Sequence, residues 1–363
     1  MAKVRFGDVI KEVKINIDRA TDDHEFYIAG EHMESENIHI TKRGTFKGSD
    51  VGPAFIRLFK PGQILYGSRR TYLKKVAVAD FEGITSNTTF VLESKDESKM
   101  LQGLIPYYML TDDFTEYSIK KSKGSTNPYI LFSDLADYEF ELPDIERQKE
   151  LLGLLNACDD AKEAYKTQIK ASDELVKSQF IEMFGDPNSS PDTVPLTEGF
   201  TIRDDLRKPL NDAVRSGMHT GELYPYYGAN GQVDSINEYI TEYNALCLAE
   251  DCGAYGPGEA SSYIIRGKAW VNNHAHVLVP KDNCSLVYGN ELFRLLDITR
   301  QINGSTRSKL TQEAMKKLQI LLPPIEKQER FSAFVEQSDK SKFELEQAIQ
   351  KVDNLIKSLI SQE

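Results

Sequence analysis

Apolar positions recur with a heptad period in two stretches of the chain, residues 143–185 and 323–363. Each stretch begins with proline and acidic residues, which suit a first helical turn. Gly153 is the only glycine within residues 143–184, and residues 323–363 contain none. The spacing of three to four heptads predicts long helices of the coiled-coil type. The alternating 4,3 seam consists of Leu151, Leu155, Cys158, Lys162, Tyr165, Ile169, Ser172, Val176, Gln179 and Met183 in the first stretch, and of Phe331, Val335, Ser338, Lys342, Leu345, Ile349, Val352, Ile356 and Leu359 in the second.

The second stretch repeats the first at a constant offset of 180 residues. Residues Leu142, Pro143, Ile145, Glu146 and Gln148 recur as Leu322, Pro323, Ile325, Glu326 and Gln328. Because neither copy has gained or lost a residue, the repeat constrains helix length as well as composition. Two helices of equal length could pair with each other, antiparallel, or with another protein. We interpret Lys162 and its counterpart Lys342, polar residues on the seam, as fixing the register of that pairing.

The remaining residues form two segments, 1–142 and 186–322, with 186–191 as a linker rich in proline, serine and asparagine. Short β-branched or aromatic runs separated by glycines predict a strand-rich domain of mixed structure in each. Residues 271–278 match 85–92 at an offset of 186, so the two domains also repeat, but loosely. The predicted fold is therefore α+β: two strand-rich heads alternating with two long helices. The expected strands of the first head are Glu25–Ala29, Asn37–Thr41, Gln63–Tyr66, Lys75–Ala79 and Thr88–Leu92.

Charge and composition limit the possible functions. The net charge is −12, and neither head nor helix is basic overall, which argues against a simple nucleic-acid coat protein. Four cysteines are few for 363 residues, and no run of about 18 apolar residues could cross a membrane. We expect a cytoplasmic protein in which any DNA contact comes from local clusters of basic residues.

Such clusters lie in the predicted loops of both heads. Arginine and lysine beside glycine and small polar residues suit contact with phosphates and base edges, and Phe46, Phe59 and Tyr72 lie among the basic residues of the first head. Serine and threonine next to each helix start could donate hydroxyl groups to phosphate. The DNA-binding candidates are Lys42, Arg43, Arg69, Arg70, Lys121, Ser125 and Thr126 in the first head, and Arg203, Arg207, Lys208, Arg300, Ser305, Thr306 and Arg307 in the second.

Catalytic and cofactor motifs are weak in this sequence. Thr126–Tyr129 has only one proline of the Asn-Pro-Pro-Tyr signature of amino-methyltransferases, and Gly253–Gly258 has a proline between its glycines. We find no phosphate-binding loop of the Walker type and no loop for S-adenosylmethionine. His274 and His276 are expected on one face of a strand, and we favour packing or hydrogen bonding as their role over DNA contact or metal binding. Asn272 and Asn273 could contact adenine or finish the strand. We predict no catalytic residue, no bound cofactor and no metal.

The paired Leu-Pro-x-Ile-Glu-x-Gln helix starts, the Gly228–Gly231 turn (Gly-Ala-Asn-Gly) and the Asn272–Leu278 strand resemble the specificity (S) subunit of type I restriction-modification systems. The resemblance covers the whole chain in the order head, helix, head, helix. It implies two target-recognition domains, an antiparallel coiled coil between the repeated helices, and no enzyme activity in the chain itself. It further implies double-stranded DNA as ligand, two methyltransferase (M) subunits that use S-adenosylmethionine to methylate adenine, and motor-nuclease (R) subunits that use ATP. The second copy lacks a counterpart of Gly185-Asp186-Pro187.

The partner surface is expected at residues that recur in both copies while the heads differ. We predict that the M subunits dock on Ile145, Glu146 and Gln148 and on Ile325, Glu326 and Gln328, although the glutamate and glutamine could equally serve only to cap the helix. Two other interpretations stay open. One is a self-contained DNA methyltransferase or nuclease, and the other is a coiled-coil scaffold with protein-binding heads.

Overall fold

A computed structural model describes residues 2–48, 50–251, 255–259, 261–302 and 309–361. The chain divides into two compact units, and both long helices contribute to each of them. Unit 1 comprises residues 1–164 and 347–363, and unit 2 comprises residues 165–346. Each unit therefore contains one head together with part of both helices. No helix of the described residues is long and apolar enough to cross a membrane.

The two long helices are α5 (Ile145–Phe184) and α10 (Ile325–Ser361). At the start of α5, the Asp144 carboxylate accepts a hydrogen bond from the Arg147 N–H at 3.0 Å, and this satisfies one of the free donors of the first turn. At its end, Gly185 has φ 85°, and its N–H donates to the Ile181 carbonyl, which is the usual left-handed helix stop. The predicted seam positions are buried or half-buried along both helices.

The helices pair antiparallel, as the fold prediction stated. In unit 2 the pairs Lys342–Asp173 and Phe331–Phe180 show residue numbers rising on one helix as they fall on the other. In unit 1 the Lys162 ammonium contacts the Asp353 carboxylate at 2.6 Å. A shift of 180 residues converts one lysine–aspartate pair into the other, so the two ion pairs are reciprocal copies.

The shorter helices belong to the heads. In the first head they are α1 (Phe6–Val9), α2 (Ile105–Met109), α3 (Asp112–Lys121) and α4 (Phe132–Ala136). In the second they are α6 (Leu196–Gly199), α7 (Asp212–Ser216), α8 (Leu286–Leu295) and α9 (Gln312–Lys316).

Short strands make up the rest of each head. Those of the first head are β1 (Ala2–Arg5), β2 (Ile10–Glu12), β3 (Phe26–Ile28), β4 (Gly44–Thr45), β5 (Phe55–Phe59), β6 (Ile64–Gly67), β7 (Val76–Val78), β8 (Gly83–Ser86), β9 (Thr89–Ser94) and β10 (Glu139–Leu142). Those of the second are β11 (Thr193–Pro195), β12 (Phe200–Ile202), β13 (Tyr224–Gly228), β14 (Gly231–Ile236), β15 (Ala245–Ala249), β16 (Ser262–Ile265), β17 (Trp270–Val271), β18 (Ala275–Pro280) and β19 (Gln319–Leu321).

The two heads share one sheet plan. Each has a two-stranded ribbon, β1-β10 or β11-β19, and a four-stranded sheet, β2-β9-β6-β7 or β12-β18-β15-β16. Each also has a third sheet that contains a parallel pair, β3 with β8 in the first head and β13 with β17 in the second. The loose sequence match between residues 85–92 and 271–278 falls on equivalent places, the passage from β8 to β9 and from β17 to β18.

One predicted strand of the first head is wrong. Residues 37–41 form no strand, because the Asn37 side chain accepts a hydrogen bond from the His39 N–H at 3.0 Å and bends the backbone there. The His39 ring instead lies 2.6 Å from the Asp159 carboxylate on α5, within unit 1. The other four predicted strands of this head correspond to β3, β6, β7 and β9.

The helices complete the apolar core of both units. In unit 1, Leu151, Leu155 and Ile360 join the core of the first head. In unit 2, the aromatic rings of Phe180, Phe331 and Tyr288 form one cluster, with Phe180 stacked on Tyr288 at 5.4 Å between centroids. Burial of these side chains, roughly 2 kcal/mol for each large apolar group, ties each head to the helix pair of its own unit.

Candidate nucleic-acid interface

Two loops of the first head are joined by backbone hydrogen bonds next to the end of β6. The Arg70 N–H donates to the Pro128 carbonyl at 2.7 Å, and the Ile130 N–H donates to the Ser68 carbonyl at 2.9 Å. Lys123 and Tyr129 exchange two further hydrogen bonds, so residues 122–130 fold back on themselves against the β6 loop. This pairing brings Arg69, Arg70, Lys121, Ser125 and Thr126, predicted from separate places in the sequence, into neighbouring segments.

We call this region the first-head basic surface and define it by Arg69, Arg70, Tyr72, Lys121, Ser125, Thr126 and Tyr129, all of them exposed. Within the described residues neither Arg69 nor Arg70 forms an ion pair. The Arg70 guanidinium donates a hydrogen bond to the Asn127 side-chain oxygen at 3.3 Å. Their guanidinium groups therefore stay available to an anionic ligand. The Lys121 ammonium lies 5.7 Å from the Tyr117 ring.

Exposed apolar side chains gather around the same loops. Tyr72 is 53% exposed, Tyr129 40%, Ile119 46% and Leu131 42%. The sequence pointed to Tyr72 together with Phe46 and Phe59, but these two phenylalanines are buried in the cores. A surface that combines free arginines with aromatic rings is typical of nucleic-acid recognition, because arginine contacts phosphates or base edges and the rings contact bases.

Lys42 and Arg43 are placed elsewhere, on the segment that leads into β4. The Arg43 guanidinium lies over the Phe26 ring at 3.7 Å and near the Phe81 ring at 5.3 Å, so this side chain helps to cover the head's own aromatic cluster. The Lys42 ammonium is 3.8 Å from Glu34 and largely exposed. The basic candidates of the first head thus differ in their contacts. Arg69 and Arg70 have no ion pair among the described residues, whereas Lys42 and Arg43 contact a carboxylate or aromatic rings of the chain itself.

The basic candidates of the second head are mostly engaged. Arg203 forms a two-pronged pair with Asp205, at 2.9 Å on each prong, and Lys208 lies 5.6 Å from the Trp270 ring. Arg207 pairs with Asp204 and Glu250, and its side chain is only 18% exposed. Arg300 is exposed on a short 3-10 turn, Thr299–Gln301. Ser305, Thr306 and Arg307 lie outside the described residues.

Arg207 belongs to a buried polar network beneath the surface of the second head. The Asp204 carboxylate accepts from His276 at 2.8 Å and from Gln312 at 2.8 Å, and Glu250 pairs with Lys309 at 2.7 Å. Burial by itself raises the pKa of Asp204, but the hydrogen bond and charge of His276, with Gln312 and Arg207, outweigh it and hold that pKa below its usual value. The pKa of Glu250 is lowered in the same way, with Lys309 and Arg207 outweighing burial.

The two histidines of this head have different surroundings. His276 lies within β18, is fully buried, and bonds to Asp204 and to the Leu310 carbonyl. His274 precedes the strand, is 46% exposed in its side chain, and bonds to Asp251 at 3.0 Å. The Asn272 side chain accepts from the His274 N–H, which closes the turn before β18. No group of three or more His, Cys, Asp or Glu residues suited to a metal occurs in the described part of the chain.

Some candidate residues of the second head had no motif in the sequence. The Lys268 ammonium lies 4.8 Å from the Tyr239 ring and 5.5 Å from the Tyr224 ring, and Val233 of β14 is 60% exposed. Tyr243 is 50% exposed beside the Arg203 guanidinium. Only the recurrence of tyrosines along residues 224–263, followed by Lys268, could have suggested them. They supply an aromatic and basic surface in which most cations already have a carboxylate or ring partner.

The repeated helix starts have matching interiors. The Gln148 side chain accepts from the Leu101 N–H at 3.0 Å and donates to the carbonyls of Lys99 and Pro143 at 2.7 and 2.9 Å. Gln328 accepts from the Ser285 N–H at 2.8 Å and donates to the carbonyls of Asn283 and Pro323 at 3.0 and 2.7 Å. Both glutamines are fully buried. Each carboxamide thus joins a head loop to the start of its helix, and neither one is free to contact a partner.

The other repeated residues keep an accessible face. Glu146 and Glu326 are exposed, and Ile145 and Ile325 are half-buried. Glu146 pairs with Lys149 at 2.7 Å on the helix surface, an exposed contact of little energetic weight. The expected docking surface is thereby reduced to the isoleucine and glutamate of each copy.

Comparison with known proteins agrees with this architecture. The family model described as the type I restriction modification DNA specificity domain matches residues 13–172 and 216–352. Since these matches cover most of the chain, the protein belongs to this family. The repeated match also coincides with the duplicated head-and-helix plan.

Two curated relatives align with part of the chain. It is 31% identical over 134 residues to the putative type I restriction enzyme specificity subunit S.HindORF215P of Haemophilus influenzae, which is 36% of this chain and 33% of the relative. It is 28% identical over 146 residues to the type I restriction enzyme EcoDI specificity subunit of Escherichia coli, 40% of this chain and 31% of the relative. The alignments thus span about a third of each relative's length.

Solved structures share the fold over the full chain. The type I restriction-modification S subunit from M. genitalium superposes with a TM-score of 0.55 at 16% identity, covering 99% of this chain and 95% of the other. A chain from work on complex assembly and conformational transition of the type I R-M system gives the same TM-score and identity, with 99% and 96% coverage.

Proposed function

We propose that this chain is the DNA sequence-specificity subunit of a type I restriction-modification complex and has no catalytic activity of its own. Residues 1–142 and 186–322 act as two target-recognition domains, and residues 143–185 and 323–363 act as the spacer between them. Together they recognise an asymmetric, bipartite site in double-stranded DNA. Because the chromosome is the ligand, we place the protein in the cytoplasm.

One observation carries this proposal: two heads share a sheet plan but differ in surface, and both are built onto helices repeated without an insertion. Identical heads would select a symmetric site, whereas heads with unlike surfaces suit two different half-sites. A helix of 40 residues is about 60 Å long, at roughly 1.5 Å per residue, so a frame of this kind can fix the separation of half-sites that lie one or more DNA turns apart.

The repeated helix starts support docking of two copies of one partner. We propose that each M subunit contacts one isoleucine–glutamate pair, Ile145 and Glu146 or Ile325 and Glu326. Adenine methylation with S-adenosylmethionine then belongs to the M subunits, and cleavage with ATP belongs to R subunits that join the complex. Under this proposal the chain itself binds neither cofactor.

The first test is methylome sequencing of cells that produce this chain together with an adjacent methyltransferase. The expected result is a split adenine-methylated motif with a gap of fixed length, absent when the chain is omitted. A methylation pattern that does not depend on the chain would overturn the proposal. Exchange of residues 192–322 for another head should change only one half of the motif.

A second test lengthens the spacer while keeping its ion pairs. Four residues are inserted after Lys170 and four after Gln350, so that Lys162–Asp353 and Lys342–Asp173 both stay apposed. The helices become about 6 Å longer, and the gap in the motif should grow by about two base pairs, with both half-sites unchanged. The control, the insertion after Lys170 alone, misaligns the pairing and should lower methylation. A changed half-site in the double insertion would contradict the assignment of the helices as spacer.

A further inference from the structure

The turn that follows β6 in the first head has an unusual concentration of left-handed backbone. It is a 3-10 turn over Thr71–Leu73, flanked by Arg70 at φ 52° and Lys74 at φ 46°. The third non-glycine residue with positive φ in the described chain is Glu36, whose N–H donates to the Lys74 carbonyl at 3.2 Å. All three such residues therefore meet at one place, and backbone strain of this kind persists only where the surrounding structure holds it.

Several contacts hold this turn in place. The Arg70 N–H donates to the Pro128 carbonyl, the Thr71 hydroxyl lies 3.4 Å from that of Ser122, and the Ser35 hydroxyl donates to the Leu73 carbonyl at 2.7 Å. The Lys74 ammonium contacts Asp112 at 2.6 Å and Glu36 at 2.9 Å, with the side chain only 14% exposed. Three separate segments thus fix a turn that glycine would form without strain.

The residue that this turn displays is Tyr72. Its side chain is 53% exposed, while Thr71 before it is buried. The exposed Arg69 and Arg70 precede Tyr72 in the chain, and Arg69 forms a β-bridge with Tyr129 on the joined loop, so Tyr72 belongs to the same part of the head as the rest of the first-head basic surface. An aromatic ring carried on a fixed backbone turn has only two side-chain torsions to order on binding, and a tyrosine offers both a face for a base or a thymine methyl group and a hydroxyl for a base edge.

We propose that Tyr72 is a base-contacting residue of the first head and determines part of its half-site, while Arg69 and Arg70 bind the adjacent phosphates. This inference rests on the proposed function and assigns the recognition of one half-site to one side chain. Lys74, although basic and adjacent, takes no part in DNA binding because Glu36 and Asp112 neutralise it. Its role is to position the turn.

The experiment compares the complex of the chain and its methyltransferase carrying Tyr72→Ala, Tyr72→Phe or the control Ile15→Ala. Ile15 is also exposed in the first head, at 47%, and lies on a different segment. Methylation is measured on duplexes in which each base pair of the first half-site is changed in turn. In the wild-type complex every specified position should show discrimination, and in Tyr72→Ala one or two adjacent positions should lose it by about tenfold or more, with the second half-site unaffected.

The ring-preserving variant and thermal unfolding separate recognition from folding. Tyr72→Phe should retain discrimination where the ring contacts a base, and Ile15→Ala should match the wild type at every position. Because Tyr72 is exposed, Tyr72→Ala should unfold at the wild-type temperature. The proposal is overturned if Tyr72→Ala keeps the wild-type preference at every position of the first half-site. Failure of the proposed function is a distinct result, since the wild-type complex would then yield no split motif at all.

Discussion

Predicted DNA-binding arginines of the two heads differ in their electrostatic surroundings. Arg69 and Arg70 follow β6 on an exposed loop and have no ion pair among the described residues, whereas Arg207 is enclosed by Asp204 and Glu250. All three were predicted as DNA contacts on residue type and loop position. The difference teaches that a basic residue in a loop is available to an anionic ligand only where no carboxylate of its own chain pairs with it. Arg69 and Arg70 thus present their charge at the surface of the first head, whereas the charge of Arg207 is paired inside the second.

Removal of the Arg207 side chain gives the largest expected effect. Arg207→Ala removes the cation that the buried Asp204 and Glu250 carboxylates share and leaves them with His276 and Lys309 alone, so the free energy of unfolding of unit 2 should fall by about 3 kcal/mol. Trp270, the single tryptophan of the chain, is buried in the second head and reports the unfolding of that unit by its fluorescence in urea. The matched change Arg70→Ala should alter stability by less than about 0.5 kcal/mol. Equal losses of unfolding free energy in the two variants would contradict the contrast between a paired Arg207 and an unpaired Arg70.

The glutamines of the helix starts should behave alike, since their hydrogen bonds are the same in kind and number. Gln148→Ala and Gln328→Ala each leave one N–H and two carbonyls of buried loops without a partner, at a cost of about 2 kcal/mol each. Denaturant unfolding followed by circular dichroism measures both, and Glu146→Ala serves as the exposed control with little change. A large loss of stability for one glutamine alone would show that the two helix starts differ in energy although their hydrogen bonds match.

The free arginines should dominate the salt dependence of DNA binding. Arg69→Ala combined with Arg70→Ala should weaken binding of the complex about tenfold or more at moderate salt. It should also reduce the slope of log K against log salt by about 2, because each phosphate contact contributes roughly 0.9. The corresponding pair Arg203→Ala with Lys208→Ala should change the slope less, since Arg203 already pairs with Asp205. The reverse order of the two slopes would assign the main phosphate contacts to the second head.

Acid should destabilise the second head through its buried carboxylates, and this is the smallest of the expected effects. The pKa values of Asp204 and Glu250 are lowered in the folded protein from ordinary values of 3.8 and 4.5. Their stabilising contribution is therefore complete above those ordinary values and is lost as pH falls through the lower folded-state values. Urea unfolding followed by Trp270 fluorescence at pH 7, 4 and 3 measures this loss as a fall in the free energy of unfolding. Asp204→Asn should reduce the dependence of the free energy of unfolding on pH. A variant with the same pH profile as the wild type would contradict the role assigned to Asp204.

The two long helices could be predicted because a heptad seam is a local pattern. The seam also marked Lys162 and Lys342 as equivalent polar positions, but their partners across the helix pair, Asp353 and Asp173, were seen only in the structure. The sheet plan of the heads was only partly visible. The offset of 186 between β8–β9 and β17–β18 marked equivalent strands, but the parallel pairing of β3 with β8 joins residues far apart in sequence.

The functional surface was harder to predict, because ion pairing depends on contacts that the sequence does not show. Asp204 is three residues from Arg207, but Glu250 is 43 residues away and completes the enclosure. Gln148 was assigned to a partner surface because it recurs as Gln328. In the structure its side chain is used within the chain, where it bonds the loop at Leu101 to the helix start. Tyr72 was noticed among basic residues, and only the strained turn sets it apart from the buried Phe46 and Phe59.

The reciprocal pairing of α5 and α10 also bears on how the chain is made. During synthesis the first head leaves the ribosome long before α10 exists, yet unit 1 needs residues 347–361 for its core, and Lys162 meets Asp353 across a separation of 191 residues. The half that is translated first is consequently finished last, after the whole second head has emerged. Damage to the last turns of the chain, such as premature termination before Gln347, therefore falls on the first head and leaves unit 2 with all of its own residues.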